Sequence, residues 1–138
     1  MQTNALPGLE PTLPSSWYTR KKYFALEREH LFMREWICVG REEEIPHKGN
    51  HKVLDLFGES ILMLRNGHGE IRAFYNVCRH RGARICPTPG DDDSVLALKG
   101  GVVGSRSIIC PYHAWTYDLD GQLIAAPFLG DNPDFDMQ

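Results

Sequence analysis

A chain of 138 residues, 42% apolar and 24% charged, has the size and composition of one soluble globular domain with its own core. Fifteen basic residues against 18 acidic leave a formal charge of −3, which argues against a nucleic-acid surface. The opening "MQTNALPGLEPTLPSSW" has neither a basic start nor an apolar core, and no apolar run approaches a membrane span, so the cytoplasm is the expected compartment.

Residues 1–16 are proline-rich and read as an extended arm. In "SSWYTRKKYFALEREHLFMREW" the pattern predicts a helix over 19–34, with Thr19 as its N-cap. Tyr23, Leu26, His30 and Met33 share one face of it, with Phe24, Leu31 and Phe32 beside them. Arm and helix together make a first segment, 1–35; the remainder, 36–138, is expected as a second domain.

From Trp36 the period changes from helical to alternating. "WICVGR" (36–41) is expected as a strand, with Cys38 a small core side chain, and "EEEIPHKGN" as a loop. His47 and His51 fall around Gly49 and Asn50 in that loop and make no metal site. "KVLDLF", "SILMLR" and "EIRAFYNV" read as three strands, separated by Gly58-Glu59 and by the hairpin signal "NGHG". "PTPGDDD" is a polar break, its aspartates a solvated loop. "SVLALKGGVVGSRSIIC" reads as a hairpin turning at Gly100-Gly101 with a short strand into Cys110, and "WTYDLDGQLIAA" as a hairpin turning at Asp120-Gly121. The sum is an all-β core of antiparallel hairpins preceded by an N-terminal α-helix.

Four cysteines in a chain of this kind are ligands or core thiols before they are disulfides; Cys86 reads as a core or half-buried thiol. Two stretches carry chemistry. "NVCRHRGARIC" places Cys78 and His80 one residue apart, and "CPYHAWTYDLDG" places Cys110 and His113 two residues apart. Each leads out of a predicted strand into a loop. Four ligands of this type suit a tetrahedral zinc or a mixed-ligand iron–sulfur pair. A zinc finger of the usual kind presents a cysteine pair and then a histidine pair, whereas here each half gives one of each. In a mixed-ligand [2Fe–2S] cluster one iron takes both thiolates and the other both imidazoles, which two such loops supply by symmetry. Arg79, Arg81 and Arg84 are poor company for a bare cation. They suit a cluster that gains a negative charge on reduction.

"CRHRGAR" followed by "CPYHAWTYDLDG" resembles the Rieske domain of ring-hydroxylating oxygenase large subunits. "LPSSWYT", "EREHLFMREWICVGREEEIP" and "EIRAFYNVCRHRGAR" are similar to the same family's N-terminal region, so the resemblance covers nearly the whole chain. It implies a small antiparallel Rieske-type β-sandwich with two cluster-binding loops. Cys78, His80, Cys110 and His113 would ligate a [2Fe–2S] cluster, Trp115 would pack beside it, and Arg81 would stand just outside the ligands. Tyr117 is either a hydrogen-bonding partner near Cys78 or Cys110, tuning the potential, or a core aromatic. Trp115 stands where high-potential relatives carry a serine hydroxyl, so the potential is expected at the low end of the Rieske range, roughly −150 to +300 mV.

The resemblance further implies an oxidoreductase role: single electrons taken from a reductase or ferredoxin and passed, by way of His80 and His113, to a mononuclear non-haem iron for O2-dependent hydroxylation. Aromatic hydrocarbon catabolism is one expected setting, although the family uses aromatic rings, quaternary amines and other small molecules and the sequence does not choose among them; a homo-oligomer is the expected assembly, and membrane and nucleic acid are not expected partners. That Fe(II) would sit in a further, C-terminal catalytic domain, expected to be absent here, on which the helix at 19–34 would pack. The remaining His30, His47, His51 and His68 compose no two-histidine, one-carboxylate triad. The family has about half as many residues between the two motifs, so 88–105 is expected to be an inserted loop and hairpin. A free-standing Rieske ferredoxin-like carrier and a structural zinc domain are the alternative readings.

Overall fold

Two elements of regular backbone dominate the chain in different places: a short helical stretch near its start, and paired strands from residue 51 onward. The computed structural model describes residues 11–87, 102–104, 106–127, 129, 132, 134 and 135. The chain divides into two units, Met1–Val39 and Gly40–Gln138.

In the first unit the expected single helix is broken in two. α1 (Ser15–Thr19) starts after Pro14, and α2 (Lys21–Glu27) runs into a wider π-type turn over Arg28–Phe32. Arg20 between them is extended, at φ −92° and ψ 126°. Thr19 is therefore not an N-cap. It closes α1, and its hydroxyl donates back to the Ser15 carbonyl at 3.3 Å, a local bond that competes with helix continuation. The Trp17 and Tyr23 rings stack across the break, centroids 4.8 Å apart. No helix among the described residues is long and apolar enough to cross a membrane.

The strand expected at 36–41 does not form, and Cys38, expected in the core, is exposed, as is Trp36. Alternation supplies the side-chain pattern of a strand but not the neighbour whose hydrogen bonds make it one.

The second unit holds two antiparallel sheets. β1 (His51–Leu56), β2 (Glu59–Arg65) and β3 (Ile71–Tyr75) form the first, in the order β1-β2-β3. Leu56 pairs with Glu59, so the first turn is Phe57-Gly58, one residue earlier than expected, and both residues have positive φ, 53° and 92°. That is the conformation whose twist suits a two-residue hairpin. β4 (Val102–Val103), β5 (Ser107–Ile109), β6 (Thr116–Asp118) and β7 (Leu123–Ala125) form the second sheet, in chain order. The expected turn at Gly100-Gly101, the aspartates at 91–93 and most of 88–105 lie outside the described residues. The hairpin at Asp120-Gly121 forms as read. The Asp118 carboxylate accepts from the Asp120 and Gln122 amides, both at 2.9 Å.

One core joins the sheets. Val53, Leu62 and Leu64 from the first meet Ile108 and Tyr117 from the second, and Ile85, Cys86, Trp115, Leu119 and Ala126 from outside the strands add to the cluster. Cys86 is buried as expected, and burial pushes its thiol up to about 11. At the end of the sheets carrying the β2–β3 and β6–β7 turns, Asn66 is fully buried and donates to Asp120 at 2.7 Å. Its oxygen accepts the His68 and Glu70 amides at 3.0 and 2.9 Å. Arg72 of β3 donates to the same Asp120 at 3.2 Å.

Gly121 lies under Phe74, where a Cβ would stand 2.6 Å from Cε1, and its φ is 90°. Gly121→Ala should therefore destabilise the domain by about 1–3 kcal/mol in denaturant titration, through crowding and backbone strain together. Cys86 stays protonated above its ordinary value of 9.0, while the unfolded thiol ionises there. Between about 9 and 11 the unfolded state thus binds fewer protons than the native one, and stability falls as pH rises. Replacing Cys86 by Ala should remove one proton's share of that alkaline slope in denaturation curves taken across the range.

Candidate metal centre

Both cysteine–histidine motifs sit in loops built on the same backbone frame. In the first, the Cys78 amide donates to the Ala83 carbonyl at 2.7 Å and the Gly82 amide to the Cys78 carbonyl at 3.0 Å. In the second, the Cys110 amide donates to the Trp115 carbonyl at 2.8 Å and the Ala114 amide to the Cys110 carbonyl at 3.0 Å. Each loop thus begins at a cysteine, turns through a left-handed residue four positions on, and closes at the fifth. The left-handed residues are Gly82 (φ 67°) and Ala114 (φ 57°). The frames differ in where the histidine stands: two residues after Cys78, but three after Cys110.

The loops are rooted differently. Strands β5 and β6 lead directly into and out of the second, with Ile109 paired to Thr116 at its base. The first leaves β3 through a tight bend, the Val77 amide bonding the Tyr75 carbonyl at 2.7 Å, and a single bridge pairs Val77 with Arg84.

This frame brings the four expected ligands together. Cys78 and Cys110 are both buried, and the Cys78 thiol acts on that of Cys110, helping to push it up. The His80 and His113 rings lie 4.9 Å apart, edge to face. Trp115, buried, stacks flat on His80 at 4.6 Å and 6°. Tyr112, exposed, covers His113 with its ring at 3.8 Å. Tyr117 is both a core aromatic and a hydrogen-bonding neighbour of the first loop: its oxygen is 3.2 Å from Cys78 Sγ and accepts the Arg79 amide at 3.2 Å. With that N–H filling an acceptor site, the hydroxyl proton is free to point at the sulfur. Arg81 is exposed, and its charge acts on His80. His47 lies in the loop before β1, His51 opens β1 and His68 lies in the β2–β3 turn.

The chemistry of the set fits a cluster. His113 Nδ1 is buried without a hydrogen-bond partner, an arrangement that costs free energy unless a ligand takes the lone pair. Burial first, then His113 and Arg81, lower His80, which keeps its ring neutral and able to donate its lone pair. Burial raises the Cys110 thiol, so an electrophile must displace its proton. Two inner sulfurs and two adjoining imidazole nitrogens are the donors that a [2Fe–2S] group of mixed ligation requires.

Two features of the site have no signal in the motifs alone. Ala114 holds a backbone conformation that glycine adopts freely, and Asn76, two residues before the first cysteine, is buried beneath the loop. A lone asparagine at a strand end carries nothing in the sequence that foretells burial.

Residues 35–136 match the Rieske [2Fe-2S] domain family. The chain is 41% identical over 127 residues to the glycine betaine monooxygenase oxygenase subunit of Chromohalobacter salexigens, which covers 91% of this chain and 25% of that protein. It is 36% identical over 115 residues to the carnitine monooxygenase oxygenase subunit of Escherichia coli (strain K12), covering 83% and 28%. Its fold matches the crystal structure of the quaternary ammonium Rieske monooxygenase CntA in complex with L-carnitine, with a TM-score of 0.74 at 34% identity, over 91% of this chain and 32% of the other. The chain spans between a quarter and a third of the length of these relatives.

A left-handed alanine costs about 1–2 kcal/mol, part of which glycine returns through its freer unfolded chain. Ala114→Gly should raise stability by about 0.5–1 kcal/mol in denaturant titration while leaving the second loop's geometry intact.

Proposed function

Since the chain belongs to the Rieske [2Fe-2S] family and that family's cluster is its cofactor, we propose that Cys78 and Cys110 hold one iron and His80 and His113 the other. We read the domain as the electron-transfer part of a Rieske-type oxygenase. The observation that carries this is the twin loop frame, which places two thiols inside and two imidazoles beside them with one buried nitrogen left unpartnered. When bound, the cluster supplies reversible storage of one electron.

The protein's own residues then have distinct tasks. Trp115 fixes the plane of His80 by stacking, and Tyr112 covers His113 on the outer side. Tyr117 donates to the Cys78 sulfur, where it stabilises added negative charge. Arg79, Arg81 and Arg84 are all exposed and place positive charge around the first loop. That charge favours the reduced state and suits an acidic surface on a reductase or ferredoxin. The electron acceptor in this reading is a mononuclear iron in a catalytic domain, in an oligomeric assembly in the cytoplasm. Among the substrate classes the family uses, relatives named for glycine betaine and carnitine favour quaternary ammonium compounds over aromatic hydrocarbons. The excess of intact family motifs over any isolated zinc pattern ranks the structural-zinc reading below this one.

A visible spectrum of the purified, reconstituted chain, with iron, zinc and acid-labile sulfide assayed on the same sample, tests the reading. Two irons and two sulfides per chain in a red-brown protein are expected; one zinc in a colourless protein would sink it. Tyr117→Phe should then lower the potential by about 40 mV. That corresponds to roughly 1 kcal/mol less stabilisation of the reduced state, at about 59 mV per 1.4 kcal/mol for one electron. Direct electrochemistry on the two proteins measures the difference.

A further inference from the structure

Loop one has a weakness that loop two lacks. The second loop is held at its base by a continuing ladder between β5 and β6. The first has a strand on its outgoing side: among the described residues its return arm, Arg84 to Cys86, belongs to no strand and is bridged to Val77 at Arg84. A side chain supports the far end of that arm. Asn76 Oδ1 accepts the Cys86 amide at 2.9 Å, and Asn76 Nδ2 donates to the Cys86 carbonyl at 2.8 Å. The carboxamide thus bonds both backbone groups of one residue, as a neighbouring strand would. Nδ2 also donates to Ser60 Oγ at 3.1 Å, and the Asn76 amide donates to the Ser60 carbonyl at 2.8 Å, which ties the whole clamp to β2. Asn76 and Cys86 are both buried, so water does not compete for these bonds.

We propose that Asn76 is a positioning residue for the cluster: it sets the register of the loop carrying Cys78 and His80 against the strand-anchored loop carrying Cys110 and His113. The inference rests on the ligand assignment above. It touches no ligand itself and acts through the return arm of the loop.

A built-in control exists. Asn66 is buried in the same sheet, and its carboxamide also bonds on both sides, but at the β2–β3 turn. Asn76→Ala and Asn66→Ala should both lower stability. A merely structural role for Asn76 would make the two variants alike in every other respect. Positioning predicts that they part: in the reconstituted full chain, Asn76→Ala should shift the cluster's electron paramagnetic resonance signature and potential, and should lose iron to a chelator at least about tenfold faster. Asn66→Ala should keep the wild-type signature. Ser60→Ala removes one bond of the clamp and leaves both Cys86 bonds, so it should move the same readouts in the same direction by less; it carries the test if Asn76→Ala does not fold. An unaltered signature in the Asn76 or Ser60 variant, or an equal change in Asn66→Ala, overturns the inference. Absence of a [2Fe–2S] signature in the wild-type chain overturns the ligand assignment first, and the two failures are told apart by that one sample.

Discussion

A cysteine amide reaching the carbonyl five residues ahead is the constraint on which the site depends. It forces the chain to reverse within four residues, and a reversal that tight needs a left-handed residue at its far corner. Gly82 meets that need without cost, and Ala114 meets it at some cost. Everything else about the ligands follows. The cysteine at the root of each loop faces inward and is buried, and the histidine near its tip faces the other loop. The pair of loops is a single device used twice, with the histidine displaced by one position in the second.

The two sheets exist, from the site's point of view, to hold these reversals at a fixed separation. Tyr117 shows how economical the arrangement is. Its ring belongs to the shared core, its backbone pairs with Ile108 in the second sheet, and its hydroxyl meets both the sulfur and an amide of the first loop. One side chain thus connects core packing, sheet register and the electrostatics of the thiolate. Trp115 does comparable service between the core and the His80 ring.

Much of this was legible in the residues. Alternation located β1, β2 and β3, Asp120-Gly121 located the last hairpin, and the two spaced Cys–His pairs located the site, because each of these signals is local and survives without knowledge of its neighbours. What was misread depended on a neighbour. "WICVGR" has the side-chain alternation of a strand, but a strand is a relation between two segments, and Cys38 is exposed where alternation alone placed it inside. The apolar spacing over 19–34 is continuous, but the backbone is not: Arg20 is extended, next to a Thr19 whose hydroxyl bonds back to Ser15. Glycine at position 58 signals the first turn but does not fix its frame: the turn's first position belongs to Phe57, which itself holds a positive φ. Asn76 and Asn66 were invisible for a related reason: an asparagine is legible as a turn former, not as a substitute for a missing strand.

The domain is also fastened in two dissimilar ways. In the Asn76 clamp beneath the first ligand loop the bonds run between neutral groups: a carboxamide, a hydroxyl and the peptide backbone. At the β6–β7 turn the fastening is ionic, with Arg72 reaching both Glu70 and Asp120, and Asn66 and Arg72 holding the Asp120 carboxyl below its ordinary range. Ionic strength weakens exposed charge pairs and leaves neutral buried bonds almost untouched. Acid acts at the same end, since the stabilisation from a depressed carboxyl is lost as pH falls through its native value. Brine and acid therefore act on the fastening at this turn and leave the neutral Asn76 clamp beneath the first ligand loop in place.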